Sequence, residues 1–164
     1  MTEIILAITT TLSAIMAGLF FSYSFSVVPG LGKLANIDYL KAMQSINREI
    51  QNPLFFICFF GTIISLPLIT FLNYSERQLS FWLLLSATSF YYIGVFGVTI
   101  FGNVPLNNQL EKFNLSNATT AAISALRARF ENRWNSLNNI RTACSIISLV
   151  LMVCVCIMNK NRTT

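Results

Sequence analysis

The chain contains no histidine. That absence removes the side chain on which haem, copper, zinc and most non-haem iron sites depend. It also removes any Ser-His or Cys-His nucleophile built within one chain. Charge is nearly as scarce: only 10% of the 164 residues are charged, and six are acidic. No acids cluster within an apolar stretch, so a carboxylate metal site has no donors there, and neither a metal nor another cofactor is expected. The cysteines, Cys58, Cys144, Cys154 and Cys156, all fall inside apolar stretches. Cys154 and Cys156 are two apart and point in different directions on a helix. A quinone-linked disulfide enzyme would need Cys-x-x-Cys near a membrane surface, so the four read as small packing residues.

Apolar residues make up what is left. The hydrophobic share is 54%, phenylalanine occurs 14 times, and mean hydropathy is +0.62. Four stretches, Ile4–Val28, Pro53–Leu72, Leu79–Gly102 and Ile140–Met158, each reach the roughly 20 helical residues needed to cross a hydrocarbon core. None carries a charge in its middle. The expected fold is all-α: one domain over 1–164, a four-helix transmembrane bundle with short amphipathic helices in the first and third loops. The first stretch begins with Glu3 and no basic residue, and it exceeds a signal-peptide core in length, so it reads as a retained helix.

The formal charge of +5 is not a nucleic-acid footprint, because the basic residues flank the spans. Loops Pro29–Asn52 and Asn103–Arg141 hold Lys33, Lys41, Arg48, Lys112, Arg127, Arg129, Arg133 and Arg141; the other side holds Arg77, Lys160 and Arg162. The positive-inside rule places the two long loops in the cytoplasm and both termini opposite.

Local signals refine this plan. Gly18, Ser22 and Ser26 share one face of the first helix, as a packing seam or a binding wall, with Tyr23 beside it. Pro29-Gly30 then ends that helix. Asp38–Gln51 reads as an amphipathic helix capped by Asp38, with Asn47 set in its apolar stripe, pointing into a polar pocket or sitting at its edge. Asn52-Pro53 is a cap followed by proline at the first helical position. Pro67 is expected to kink the second span, and Asn73–Gln78 to form a tight turn. In the third span, Gly94 and Gly97 suggest close packing, while Tyr91 and Tyr92 put hydroxyls mid-membrane where each needs a partner. Val104, preceding Pro105, is biased toward extended backbone, so Asn103 and Asn107 flank a bend. Ser116 or Asn117 caps a helix starting near Ala118 that continues through Trp134 into the membrane. On it Trp134, Asn138 and Arg141 share a face, extended by Arg127. That stripe is either an interfacial belt with snorkelling arginines or one wall of a polar pocket closed by both long loops.

The segments FSYSFSVVPGL, MQSINREIQNP, GVTIFGNVPLNNQL and RWNSLNNIRT together resemble the anthrone oxygenase-like family of small four-helix membrane proteins. The resemblance covers nearly the whole chain and is most specific at Asn103–Asn107 followed by Trp134 and Arg141. It implies oxidation of anthrones to anthraquinones by molecular oxygen without metal or flavin. Many relatives have histidine near the position of Asn138, which this chain lacks.

Chemically, such a reaction needs an anion held away from bulk water. Arg141, with Asn103, Asn107 and Asn138, can donate to an oxyanion, and Trp134 can stack on a flat polycycle. Tyr91, Tyr92 and Asn47 are candidate lining residues. Glu131 is a candidate base, or simply the i+4 partner of Arg127. The expected partners are the membrane and an apolar small molecule or lipid, and the exposed small-residue faces leave homo-oligomers open. The alternative is a non-catalytic small-molecule- or lipid-binding protein or accessory subunit, in which the same donors hold a lipid phosphate. A transporter would show an internal repeat, and none is evident.

Overall fold

The computed structural model describes residues 2–74 and 79–163, with side chains as far as Asn159. The helices in chain order are α1 (Thr2–Leu31), α2 (Asn36–Glu49), α3 (Pro53–Leu72), α4 (Leu79–Glu111) and α5 (Thr120–Thr163), and no strand occurs among the described residues. Four of them, all but α2, are long and apolar enough to cross a membrane. They pack in a ring, α1 against α3 and α5, and α4 against α3 and α5. The turn expected at Asn73–Gln78 lies largely at 75–78, outside the described residues.

The packing follows membrane logic. Lipid is as apolar as leucine, so helices associate through small and hydroxylated side chains. Thr9, Ser13, Thr62, Ser145 and Ser148 are fully buried, whereas Phe101 is 83% and Ile93 74% exposed. Hydroxyls bond across the seams: Ser148 Oγ donates to Ala87 O at 2.9 Å, and Thr70 and Thr88 hydroxyls meet at 2.9 Å. Gly94 lets α4 and α5 touch, since a Cβ there would overlap the Cys144 side chain. The face of Gly18, Ser22 and Ser26 is exposed among the described residues.

The helices pass through their prolines, contrary to the breaks expected at Pro29 and Pro105. Just before each lies a π-helical turn, Tyr23–Val27 and Thr99–Asn103. Val28 N–H donates to Tyr23 O and Val104 N–H to Thr99 O, one residue further back than in an α-helix. The wider turn admits a pyrrolidine ring that would otherwise strike the carbonyl four residues back. Val104 is accordingly helical, with φ −60° and ψ −47°, and Asn103 and Asn107 stand one turn apart on a continuous helix. The helical residues of the third loop are not separate pieces: Val104–Glu111 continues the third span and Thr120 onward belongs to α5. Pro67 is handled differently. Its missing N–H leaves Ile63 O without an intrahelical donor, and the Tyr92 hydroxyl donates to that carbonyl at 2.7 Å.

At 44 residues, α5 is about 66 Å long, twice the hydrocarbon thickness, so much of its first half stands outside the lipid. Its N-terminal half builds a second core with α2 and the end of α4: Tyr39, Leu40 and Met43 meet Leu106, Leu110, Ile123, Phe130 and Trp134. Arg127 fastens this core. Its guanidinium donates to Leu34 O (2.6 Å), Gly32 O (2.8 Å) and Asn36 Oδ1 (3.1 Å), pairs with Glu131 (2.8 Å) and lies 4.5 Å from the Tyr39 ring centroid. Burial raises the Tyr39 phenol above its ordinary range, Glu131 adding to the effect and Arg127 opposing it. Gln44 Nε2 donates to Leu110 O (2.9 Å) and Phe113 O (3.2 Å) at the end of α4. The two long loops therefore sit at the same end of the molecule. Caps differ from expectation in detail. α2 starts after Ala35, with Asp38 in its first turn and making no cap. Thr119 rather than Ser116 or Asn117 accepts at the start of α5, from Ala122 N at 3.3 Å. Asn52 caps α3 as expected, Oδ1 accepting from Phe55 N at 3.0 Å.

Tyr92→Phe is expected to lower stability in detergent by about 0.6 kcal/mol, the average for membrane-interior hydrogen bonds, and by at most about 1.7 kcal/mol. In a Pro67→Ala background, where the regained backbone N–H takes the Ile63 carbonyl, the same change is expected to cost little. Equal costs in both backgrounds would refute the pairing.

Candidate functional site

A cavity of about 210 Å³ opens between the ends of α1, α3 and α4 and the face of α5, under α2. Its shape follows from helical spacing. Thr99, Asn103 and Asn107 stand at i, i+4 and i+8 and give α4 a polar inner stripe. Phe55 and Phe59 form the facing inner stripe of α3, their rings stacked at 5.4 Å. Phe20 and Tyr23 come from α1, Asn47 from α2, and Trp134 and Arg141 from α5.

Arg141 dominates the electrostatics. It is 8% exposed, and the ion pairs found among the described residues, Arg48–Glu111 and Arg127–Glu131, do not include it. Its Nη2 donates to Asn138 Oδ1 at 2.7 Å and its Nη1 reaches Thr99 Oγ1 at 3.4 Å. Its Nε has no partner among the described residues. The guanidinium carbon lies 4.6 Å from the Phe20 centroid and 5.6 Å from that of Trp134. Ring faces offset part of the lost hydration, about 2 kcal/mol where a cation is desolvated, against a penalty of several kcal/mol for burying an ion. Among the described residues no carboxylate lines the cavity. The site thus holds a buried cation, unpaired at Nε among the described residues, against an aromatic wall.

The other predicted residues separate into those on the cavity and those behind it. Asn103, Asn107, Asn47 and Trp134 line it together with Arg141. Asn47 Nδ2 and Asn103 Oδ1 are buried without partners among the described residues, and Asn103 Nδ2 makes only a long contact, 3.5 Å, to Trp134 O. Asn107 Oδ1 accepts from Trp134 Nε1 at 2.8 Å, which fixes the indole and leaves its own NH2 as the donor. Asn138 does not line the cavity. It accepts from Arg141 while its Nδ2 donates to Ser24 Oγ at 2.8 Å, and Ser24 in turn meets Thr142 Oγ1 at 2.8 Å. It is a positioning residue for Arg141. Tyr91 and Tyr92 lie outside the lining set: Tyr91 is buried with its ring 6.5 Å from Phe59, and Tyr92 is committed to Ile63. Glu131 is taken by Arg127.

Sequence reading missed Thr99, Ser24, Thr142, Phe20 and the phenylalanines of α3, and it named Tyr23 only as a neighbour of the Gly18, Ser22 and Ser26 face. The i+4 spacing of Thr99 and Asn103 was available as a signal. Nothing in the sequence alone says that Ser24, rather than Ser22 or Ser26, turns inward, because the π turn there rotates the face. Among the described residues no group of three His, Cys, Asp or Glu side chains could hold a metal ion.

Removing one member of a buried polar pair strands the other, at about 1–3 kcal/mol. Asn138→Leu alone is therefore expected to lower the thermal midpoint in detergent, by leaving the guanidinium unheld. Adding Arg141→Met is expected to restore most of the loss. Additive losses in the double variant would show that Arg141 supports the fold by some other contact.

The sequence model described as anthrone oxygenase matches residues 50–151. No curated protein and no solved structure matches the chain. The matched stretch is well over half of the sequence and contains Asn103, Asn107, Trp134, Asn138 and Arg141, while Phe20, Tyr23 and Asn47 lie before it. By that match, the chain belongs to the anthrone oxygenase family.

Proposed function

We propose that this protein is a membrane-embedded, cofactor-independent oxygenase that converts the methylene of an anthrone-like phenolic polycycle to a carbonyl. The observation that carries this reading is the buried Arg141, which has no carboxylate partner and an unpaired Nε among the described residues and is set against an aromatic wall. A flat ring system packs between Trp134 and the phenylalanines, with its oxygen at the guanidinium. There the anionic form is favoured over the neutral one, because a fixed cation in a site of low dielectric interacts strongly with charge.

In the proposed sequence the substrate gives one proton to water and its oxyanion rests on Arg141, with Asn103, Asn107 and Asn47 as amide neighbours. The delocalised carbanion passes one electron to molecular oxygen. The two radicals combine, forming a carbon–oxygen bond, and the peroxide takes up a proton. Loss of the remaining C–H proton with cleavage of the O–O bond releases hydroxide, which leaves as water. One dioxygen is consumed, one oxygen atom stays as the new carbonyl, and the other becomes water. The protein's part is to hold the anion and exclude bulk solvent, with no carboxylate among the described residues on the cavity wall to act as base. By the positive-inside rule, the end carrying the cavity faces the cytoplasm.

The test is oxygen uptake by purified, chelator-treated protein supplied with anthrone. One dioxygen per anthraquinone is expected, and Arg141→Met should lower kcat/KM by about 10²–10³-fold, as removal of an oxyanion donor does. Turnover no faster than the spontaneous reaction, or unchanged in Arg141→Met, would sink the assignment. A phospholipid that copurifies with the native protein and is lost in Arg141→Met would favour the competing reading, a lipid-binding protein whose donors hold a phosphate.

A further inference from the structure

The outer edges of the cavity are apolar and exposed. On α4 the polar inner stripe is flanked by a second stripe one residue on: Ile100, Val104 and Asn108, again at i, i+4 and i+8. All three line the cavity and all three are exposed. On α3, Phe56 and Phe60 do the same beside the buried Phe59, and their rings stack at 5.9 Å. Phe56 is 39% and Phe60 45% exposed, Ile100 40% and Val104 38%. These four exposed apolar residues lie on helices long and apolar enough to span the membrane. The polar lining residues Asn108 and Gln51 mark the aqueous end of the slot, which α2 covers. The volume, about 210 Å³, falls below the roughly 300–1,000 Å³ of drug-sized sites and suits a compact ring system.

We infer that the cavity takes its ligand sideways from the bilayer, between Phe56 and Phe60 on α3 and Ile100 and Val104 on α4. The ligand is a compact, flat, membrane-dissolved molecule that enters with one ionisable oxygen leading toward Arg141. This rests on the reading of the cavity as the substrate site, but not on turnover. A polycycle of this kind partitions into lipid, so a lateral slot draws on the concentrated pool and delivers the oxygen to the end of the slot where the donors stand. The apolar lips also keep water from following it, as the proposed chemistry requires.

The chain has two tryptophans, Trp82 and Trp134. Trp82 is 56% exposed, and Trp134, on the cavity wall, is 3% exposed. In Trp82→Phe protein, fluorescence therefore reports the cavity alone. The experiment compares nanodiscs of ordinary phosphatidylcholine with nanodiscs of phosphatidylcholine brominated on its acyl chains, and adds acrylamide as an aqueous quencher. The expected result is quenching of Trp134 by the brominated lipid and little by acrylamide. Filling the lips with Ile100→Phe and Val104→Phe is expected to remove most of the bromine quenching. Absence of bromine quenching, dominance of acrylamide, or bromine quenching unchanged by the filled lips would each overturn the lateral slot. Because no turnover is measured, a failure of the oxygenase reading leaves this result standing on its own.

Discussion

A guanidinium taken out of water with no carboxylate beside it among the described residues is costly, and most of this site can be understood as the means of keeping Arg141 in that condition. Asn138 accepts one of its N–H groups, Thr99 lies near a second, and the rings of Phe20 and Trp134 lie within reach of its charge. Behind Asn138 stand Ser24 and Thr142, each bonded to its neighbours. These contacts hold the side chain without neutralising it. Structural arginines in the same protein look different: Arg127 has a carboxylate, two backbone carbonyls and an amide oxygen. Arg141 lines a cavity, and its buried Nε has no partner among the described residues.

The long helices serve that arrangement. α5 is long enough to carry Trp134, Asn138 and Arg141 from the loop core into the membrane on one face. α4 continues past Pro105 because a π turn absorbs the ring, so Asn103 and Asn107 stay in register with Thr99 instead of splaying at a bend. α2, fastened by Arg127 and Gln44, closes the aqueous end. The apolar outer stripes remain turned to lipid, as they would in any membrane helix. Here they also form the rim of the polar cavity.

Much of this could be read from the residues in order. Span length and composition predict the four long helices, and spacing aligns Trp134, Asn138 and Arg141, because periodicity is a property of the chain itself. The Asn52-Pro53 start was equally local and equally readable. The proline breaks were not: whether a helix ends at Pro29 or Pro105, or widens by one residue and continues, depends on packing around it. The same widening decides that Ser24 faces inward. The tyrosines show the other limit. Each needs a partner in the membrane, but only the fold reveals that Tyr92 meets a carbonyl orphaned by Pro67, in another helix. Phe55, Phe56, Phe59 and Phe60 looked like one more apolar run, since sequence does not say which pair of stripes borders a cavity.

The central claim is that Arg141 stabilises an anionic oxygen inside this cavity, and the ionisation of a bound chromophoric phenol tests it most directly. With 4-nitro-1-naphthol, whose anion is coloured, the account predicts titration in native protein at least about one pH unit below its value in protein-free bilayer. One unit corresponds to about 1.4 kcal/mol of preference for the anion, and the shift should vanish in Arg141→Met. A bound phenol that ionises at or above its bilayer value, or one whose shift survives Arg141→Met, would contradict it.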